Sequence, residues 1–384
     1  MTTRPRLLAR LVVGAALAVL FTSWRPLGAR PPAAPDRPTL LVLVVVDQMR
    51  AEYLTRYSAT WTGGLRRLID EGAHYENAAY PYLNTVTCVG HATLGTGAWP
   101  KTHGIILNQW FRRDLNAVRS CTWDPAARTI VYGGRAEAEG HSAGQLRVPT
   151  LAERLRARWP ESRAVTVSLK PRSAIMMAGK GATAVTWIGA GGWQSSTAFT
   201  PTPLPSVARA AALHALDLDR DAVWQRLRDP ASYQGVDDAP GERPQFGWTR
   251  TFPHPLNASG TAAGLLENWE SSPYGDAALG AMAVAAIDDF KLGQRGVADF
   301  LGVSYSSTDL VGHDFGPDSH EVQDTLARLD GTLGALLAAL DAKVGRHHYA
   351  LVLSADHGVA TVPEMNAARG VPAGRVALGL VRDA

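Results

Sequence analysis

Two segments of this 384-residue chain place an acid near a histidine at a spacing that can hold a metal ion. In STDLVGHDFGP, Asp309 and His313 stand four residues apart, so a helical or turn-like backbone puts both on one face. Asp356 and His357 are adjacent, just after the apolar run Tyr349–Ser354. Neighbouring side chains there can reach one ligand only where a strand ends and the chain turns. A third apolar run, Leu40–Val46, ends at Asp47. The set contains Asp and His but no Cys, which fits a borderline divalent ion such as zinc. A single Asp–His pair is commonly an ordinary hydrogen-bonded pair. Three acid-bearing strand ends, two with His attached, point instead to a shared metal site.

A candidate nucleophile lies in Asn84-Thr85-Val86-Thr87, which runs into a stretch of small residues. That pattern suits the start of a helix, where backbone N–H groups and the positive helix end favour an anion such as phosphate. The Thr87 hydroxyl is a weak nucleophile unless a base or a metal lowers its pKa. Taken alone, Thr87 reads as a simple helix cap. Asn108 and the pair Lys170/Arg172, stiffened by Pro171, complete the group. Two cations and an amide around a metal would complement a dianionic phosphoryl group. The competing reading of the pair is a solvated basic turn.

These residues need a scaffold that brings distant segments together. Leu40–Val46, Ala164–Ser168, Phe300–Ser306 and Tyr349–Ser354 are apolar, β-branched-rich runs without alternation, as expected of buried parallel strands. Helical patterns lie between them, at Gly64–Glu71 and Glu321–Ala342. The expectation is an α/β fold, with a mostly parallel central sheet and helices on both faces. In such sheets ligands bind outside the carboxyl ends of the strands, which is where Asp47, Asp309 and Asp356 fall. Trp193–Trp248 differs in texture, with TPTPLP at 200–205 and many aromatics, and reads as an inserted cap rather than sheet. The insertion is placed at about residues 190–270.

With 46% hydrophobic residues and 19% charged, the chain can bury a deep core and is not a disordered or disulfide-stapled protein. A net charge of +3 without a basic block excludes nucleic acid as the expected partner. Residues 1–29 carry Arg4, Arg6, Arg10 and Arg25, the apolar run Leu11–Phe21 and a small-residue exit at Leu27-Gly28-Ala29. This describes a secretory signal peptide, too short to span a bilayer as a helix. A linker follows at 30–38, then a catalytic domain at 39–384. The expected location is periplasmic or secreted, with no stable membrane span after cleavage and a monomeric state. In an oxidising compartment Cys88 and Cys121 could pair, though sequence leaves their proximity open.

The segments VVVDQMR, TVTCVGHATLGTGAWPKTHGI, SLKPRSAI, SPYGD, SYSSTDLVGHDFGP and SADHG occur in this order. As a set they resemble the alkaline phosphatase superfamily, in its type I phosphodiesterase/nucleotide pyrophosphatase branch. The resemblance covers residues 39–384 and is nearest to single-chain bacterial alkaline phosphatases with a Thr nucleophile. It implies two zinc ions, one held by Asp47, Thr87, Asp356 and His357, the other by Asp309, His313 and a further His. It implies attack by Thr87 on phosphorus, a phospho-threonine, and phosphate contacts from Asn108, Lys170 and Arg172. The Lys-x-Arg pair is the feature of the monoesterases, so small-molecule phosphate monoesters are the expected substrates. The further His is expected beyond the SADHG motif, but the 27 residues after His357 contain none. A missing C-terminal part is therefore expected, and with it an inactive fragment as one alternative. A phosphodiesterase or pyrophosphatase of the same fold is the other. A sulfatase is disfavoured because Cys88-Val89-Gly90-His91-Ala92 does not match Cys-x-Pro-x-Arg.

Overall fold

The structure, a computed structural model, describes residues 37–132, 140–199, 216–377 and 379. The expected signal peptide, most of the expected linker and residues 200–215 of the expected insertion lie outside the described residues. Among the described residues, no helix is long and apolar enough to cross a membrane.

A seven-stranded sheet organises the chain. Its strands are β1 (Leu40–Val46), β2 (Thr129–Val131), β3 (Ala164–Ser168), β4 (Ala184–Gly189), β5 (Gly192–Ser196), β6 (Asp299–Tyr305) and β7 (Tyr349–Ser354). The spatial order is β7-β1-β6-β3-β4-β5-β2. The first five strands of that order run parallel. The last two, β5 and β2, pair antiparallel. The helices that matter for the site are α1 (Gly64–Glu71), α2 (Thr87–Thr96), α3 (Pro171–Ala178), α4 (Pro273–Asp289), α5 (Ser307–Phe315) and α6 (His320–Lys343).

In β1 only Leu41 escapes full burial, because the strand has a core on each side. Leu40, Val42, Val44 and Val46 pack in one cluster with Leu279 and Met282 of α4 and Leu333 and Leu337 of α6. Leu43 and Val45 belong to a second cluster with Val89 and Ala92 of α2 and Ile175 and Met176 of α3. The two-residue alternation of strand side chains thus feeds both helical layers. Each Val or Leu so placed contributes about 1.5–3 kcal/mol through burial. A charge at Val44 would break this layer.

The expected strands and helices appear with small differences. The strand expected at Phe300–Ser306 begins one residue earlier and ends one earlier, at Asp299–Tyr305. One reading of the insertion needs correction: Gly192–Ser196 belongs to the main sheet. Its polar sequence hid the strand, but its polar groups are satisfied. Trp187 Nε1 donates to Gln194 Oε1 at 3.1 Å, and the Ser195 hydroxyl donates to the Val185 carbonyl at 2.7 Å. Gly192 adopts φ +98°, a turn conformation that a side chain would strain, and lets β4 fold back onto β5.

Candidate metal and phosphate site

Parallel order sends β1, β6, β3 and β7 to the same edge, and the chain leaves each strand there carrying a polar group. Asp47 follows β1, Lys170 follows β3, Asp356 follows β7, and β6 leads into α5 with Asp309 and His313. Asp47, Asp309 and His357 each offer a ligand atom, and these three atoms lie within 4.8 Å of one another. The His357 Nε2 is 3.3 Å from Asp47 Oδ1, 3.6 Å from Asp356 Oδ2 and 4.0 Å from Asp309 Oδ1. The structure therefore joins the acids that the sequence places over three hundred residues apart.

The donor set suits a metal ion. Asp47 and Asp356 are fully buried, and Asp47 Oδ1 and Asp356 Oδ2 accept no well-aligned hydrogen bond, with the His357 and His91 rings beside them. Such atoms are costly to bury unless something binds them. His357 Nδ1 donates to the Gly358 carbonyl at 2.9 Å, which fixes the ring and leaves Nε2 facing the acids. His313 lies one helical turn after Asp309, with Nε2 3.4 Å from its Oδ1 and a side chain 69% exposed. The expected helical spacing is thus realised in α5.

Charge balance explains how the acids persist. Burial pushes the Asp47 carboxyl up, but the Lys170 ammonium, His357 and His91 outweigh it and hold it well below the usual carboxylate range. Asp309 is likewise pushed up by burial and by Asp47, and Lys170 and His313 bring it below its ordinary value. Asp356 goes the other way, raised by burial and by the neighbouring Asp47 charge against the pull of His91. Burial lowers His357, yet Asp47 and Asp356 raise it to about 9.

Lys170, expected to contact phosphate, lies against the acids. Its Nζ sits 2.7 Å from Asp47 Oδ2 and 2.5 Å from Asp309 Oδ2, bridging the two acids. Buried carboxylates demand a counter-charge: Lys170 reaches Asp47 and Asp309, and His91 and His357 lie beside Asp356. Arg172, at the second position of α3, is close enough to oppose the Lys170 charge. Its Nε is buried without a hydrogen-bond partner, while the residue as a whole is half-buried.

Thr87 is the first residue of α2, and Val86 is the N-cap. The simple-cap reading of Thr87 is therefore wrong. His91, one turn on, ties it to the acids: Nδ1 lies 2.9 Å from the Thr87 carbonyl and 3.1 Å from Asp356 Oδ2. The helix can approach this closely only because residue 90 is Gly; a Cβ there would sit 2.0 Å from the Asp356 carbonyl oxygen. Asn108 lies beside the same turn, its Oδ1 accepting from the Cys88 N–H at 2.7 Å. That bond orients the amide and leaves its N–H groups to donate elsewhere.

Sequence reasoning gave no role to three further residues. His91 also meets the Ser304 hydroxyl at 2.8 Å, and its position four residues after Thr87 was the available signal. Gln48 donates from Nε2 to Asp309 Oδ1 at 2.7 Å and from its backbone N–H to Asp356 Oδ1 at 3.1 Å. Nothing in its sequence context marks it. Asp276, in SPYGD, accepts from the Ser306 and Ser307 N–H groups at 2.9 and 3.2 Å and so pins the start of α5. Cys88 and Cys121 form a disulfide. The remaining histidines near the C-terminal half stand elsewhere. His320 turns to Asp237 and the Gly235 carbonyl, and His347 and His348 precede β7.

A parallel sheet with an acid-and-histidine centre at its carboxyl edge agrees with sequence comparison. The profile of the type I phosphodiesterase / nucleotide pyrophosphatase family matches residues 41–373, and the chain belongs to that family. It is 37% identical to the alkaline phosphatase PhoV of Synechococcus elongatus over 96% of this chain and 68% of that one. It is 35% identical to the alkaline phosphatase PafA of Elizabethkingia meningoseptica, over 93% and 66%. The crystal structure of PafA superposes with a TM-score of 0.82 at 33% identity, covering 88% of this chain and 66% of that chain, so the fold is that of an alkaline phosphatase. The chain spans about two thirds of the length of these relatives.

Proposed function

We propose that this chain is an exported, zinc-dependent phosphomonoesterase that works through a phospho-threonine on Thr87. The observation that carries the proposal is the convergence at one sheet edge. Acids with buried oxygens that accept no well-aligned hydrogen bond lie within one imidazole of the first turn of α2, with Asn108, Lys170 and Arg172 around it. A second support is a solved PafA variant in which a Thr is changed to Ser and an Asn, a Lys and an Arg are changed to Ala. Those four residues lie 21, 62 and 2 positions apart. The same intervals separate Thr87, Asn108, Lys170 and Arg172.

One zinc ion would be held by Asp47, Thr87, Asp356 and His357 and a second by Asp309 and His313. When bound, they would supply Lewis acidity toward the phosphoryl oxygens and toward the entering oxygen. Thr87 Oγ attacks phosphorus in line as the bond to the ester oxygen breaks, and the hydroxyl proton ends on that departing oxygen. The alcohol leaves, and water then attacks the phospho-threonine, releasing inorganic phosphate and restoring the hydroxyl. The open N-terminus of α2 and the Asn108 amide donate to phosphoryl oxygens as their charge grows. Arg172 offers a fork of donors to the extra charged oxygen that distinguishes a monoester from a diester. Lys170 keeps Asp47 and Asp309 anionic and oriented.

The test is hydrolysis of p-nitrophenyl phosphate by the zinc-loaded chain, beside Thr87→Ala and beside bis(p-nitrophenyl) phosphate as substrate. Monoester turnover that vanishes in the variant, with phosphate binding retained, is expected. Faster turnover of the diester would replace the proposal with a phosphodiesterase, and no turnover by the folded chain would reject it.

A further inference from the structure

Asn108 owes its place to a small and poorly supported piece of structure. It precedes the strand Gln109–Arg112, which pairs antiparallel with Ala117–Ser120. This two-stranded ribbon forms no ladder with the main sheet. Phe111 and Val118, paired across it, are both more than half exposed, and Leu115 at its tip is 41% exposed. Isolated two-stranded ribbons are marginal in water. The ribbon therefore cannot fix its own base.

The base is fixed by the two half-cystines. The Cys121 N–H donates to the Asn108 carbonyl at 2.9 Å, and the Cys88 N–H donates to the Asn108 side-chain oxygen at 2.7 Å. Cys88 and Cys121 are joined covalently and both are fully buried. Asn108 thus sits in a closed clamp: backbone held by one half-cystine, side chain by the other. Cys88 is also the residue after Thr87, so the clamp sets the Asn108 amide directly against the turn that bears the nucleophile.

We propose that the Cys88–Cys121 disulfide is a positioning element of the phosphate site, and that it acts through Asn108. The inference rests on the phosphate-binding reading above for its functional consequence. Misplacing a binding group by about 1 Å can cost on the order of 10²-fold, so a clamp at this point has leverage. The disulfide touches no substrate. Its influence is confined to where the amide nitrogen of Asn108 points.

Calorimetric titration with inorganic phosphate tests this on four zinc-loaded chains: wild type, Asn108→Ala, Cys88→Ala/Cys121→Ala, and the triple variant. Asn108→Ala is expected to weaken phosphate binding about tenfold in the wild type and less than about twofold in the cysteine-free chain. Equal losses in both backgrounds would overturn the proposal, because a disulfide that only stabilises the fold gives additive effects. Should the cysteine-free chain fail to fold, the same comparison is made on folded wild type and Asn108→Ala after reduction. Tris(2-carboxyethyl)phosphine delivers two electrons to the S–S bond and water delivers the protons. Two thiols and the phosphine oxide result.

Hydrogen–deuterium exchange separates this claim from the functional one. If the wild type binds no phosphate, the phosphatase reading fails, yet the clamp still predicts that opening the disulfide raises exchange at Cys88 and Cys121 by at least about tenfold. Unchanged exchange at both amides would overturn the clamp.

Discussion

Two regions of this molecule bury acids, and they solve the problem in opposite ways. At the sheet edge, Asp47 and Asp309 are nearly inaccessible yet held below their ordinary pKa values, because Lys170, His357 and His313 converge on them. Where the inserted region meets the start of α6, Glu242 and Glu321 are also buried, and there burial wins. Glu242 is pushed up to about 8 and Glu321 to about 9, and three of their four oxygens have no hydrogen-bond partner. Glu321 makes one contact, 2.9 Å from His254 Nε2, and burial lowers His254 itself to about 4. Burial alone does not create a charged centre. It takes cations aimed at the acids, and the proposed phosphate chemistry rests on that convergence.

The largest effect should come from Thr87→Ala, which lowers p-nitrophenyl phosphate turnover at least about 10³-fold while phosphate affinity stays within about threefold. Retained turnover would detach the nucleophile from the charged region altogether. Next, Asp47→Asn should weaken zinc retention at least about 100-fold in equilibrium dialysis, and Glu321→Gln should leave it unchanged. Equal losses would erase the distinction between the regions. Replacing both Lys170 and Arg172 by Ala should then cost monoester hydrolysis about tenfold more than diester hydrolysis, measured as kcat/KM. Similar losses would mean that the two cations serve only the acids.

The smallest effect concerns stability. The folded chain holds a proton on Glu321 that an unfolded chain releases above pH 4.5. Stability from that carboxyl is complete below pH 4.5 and is lost as pH rises toward 9. The melting temperature should therefore fall between pH 5 and 9, and Glu321→Gln should reduce the fall by about 3 °C. A parallel fall in both proteins would show that Glu321 is ionised in the fold.

What could be read from the residues follows from how local each signal is. Runs such as Leu40–Val46 state their own burial, and Asp309-x3-His313 states its own helical face. The convergence of Asp47, Asp309 and Asp356 was legible because parallel strands share one carboxyl edge. Gln48, which bonds to both Asp309 and Asp356, was not legible, since its partners are set by tertiary packing alone. The carboxylate contacts of Lys170 were not legible for a related reason. Sequence shows a cation at a strand end, while its choice between a phosphate and two carboxylates depends on which acids are buried beside it. The strand Gly192–Ser196 was missed because polar side chains satisfied inside the fold look solvated in sequence.

The edge strand β7 carries a consequence in time rather than in space. Gln48 and Asp356, joined by a hydrogen bond, are separated by 308 residues. A ribosome delivering this chain from its N-terminus presents Asp47 and Thr87 long before His357 exists. Contacts of such separation form late and slowly. Metal capture at this edge would thus follow closure of that long-range contact.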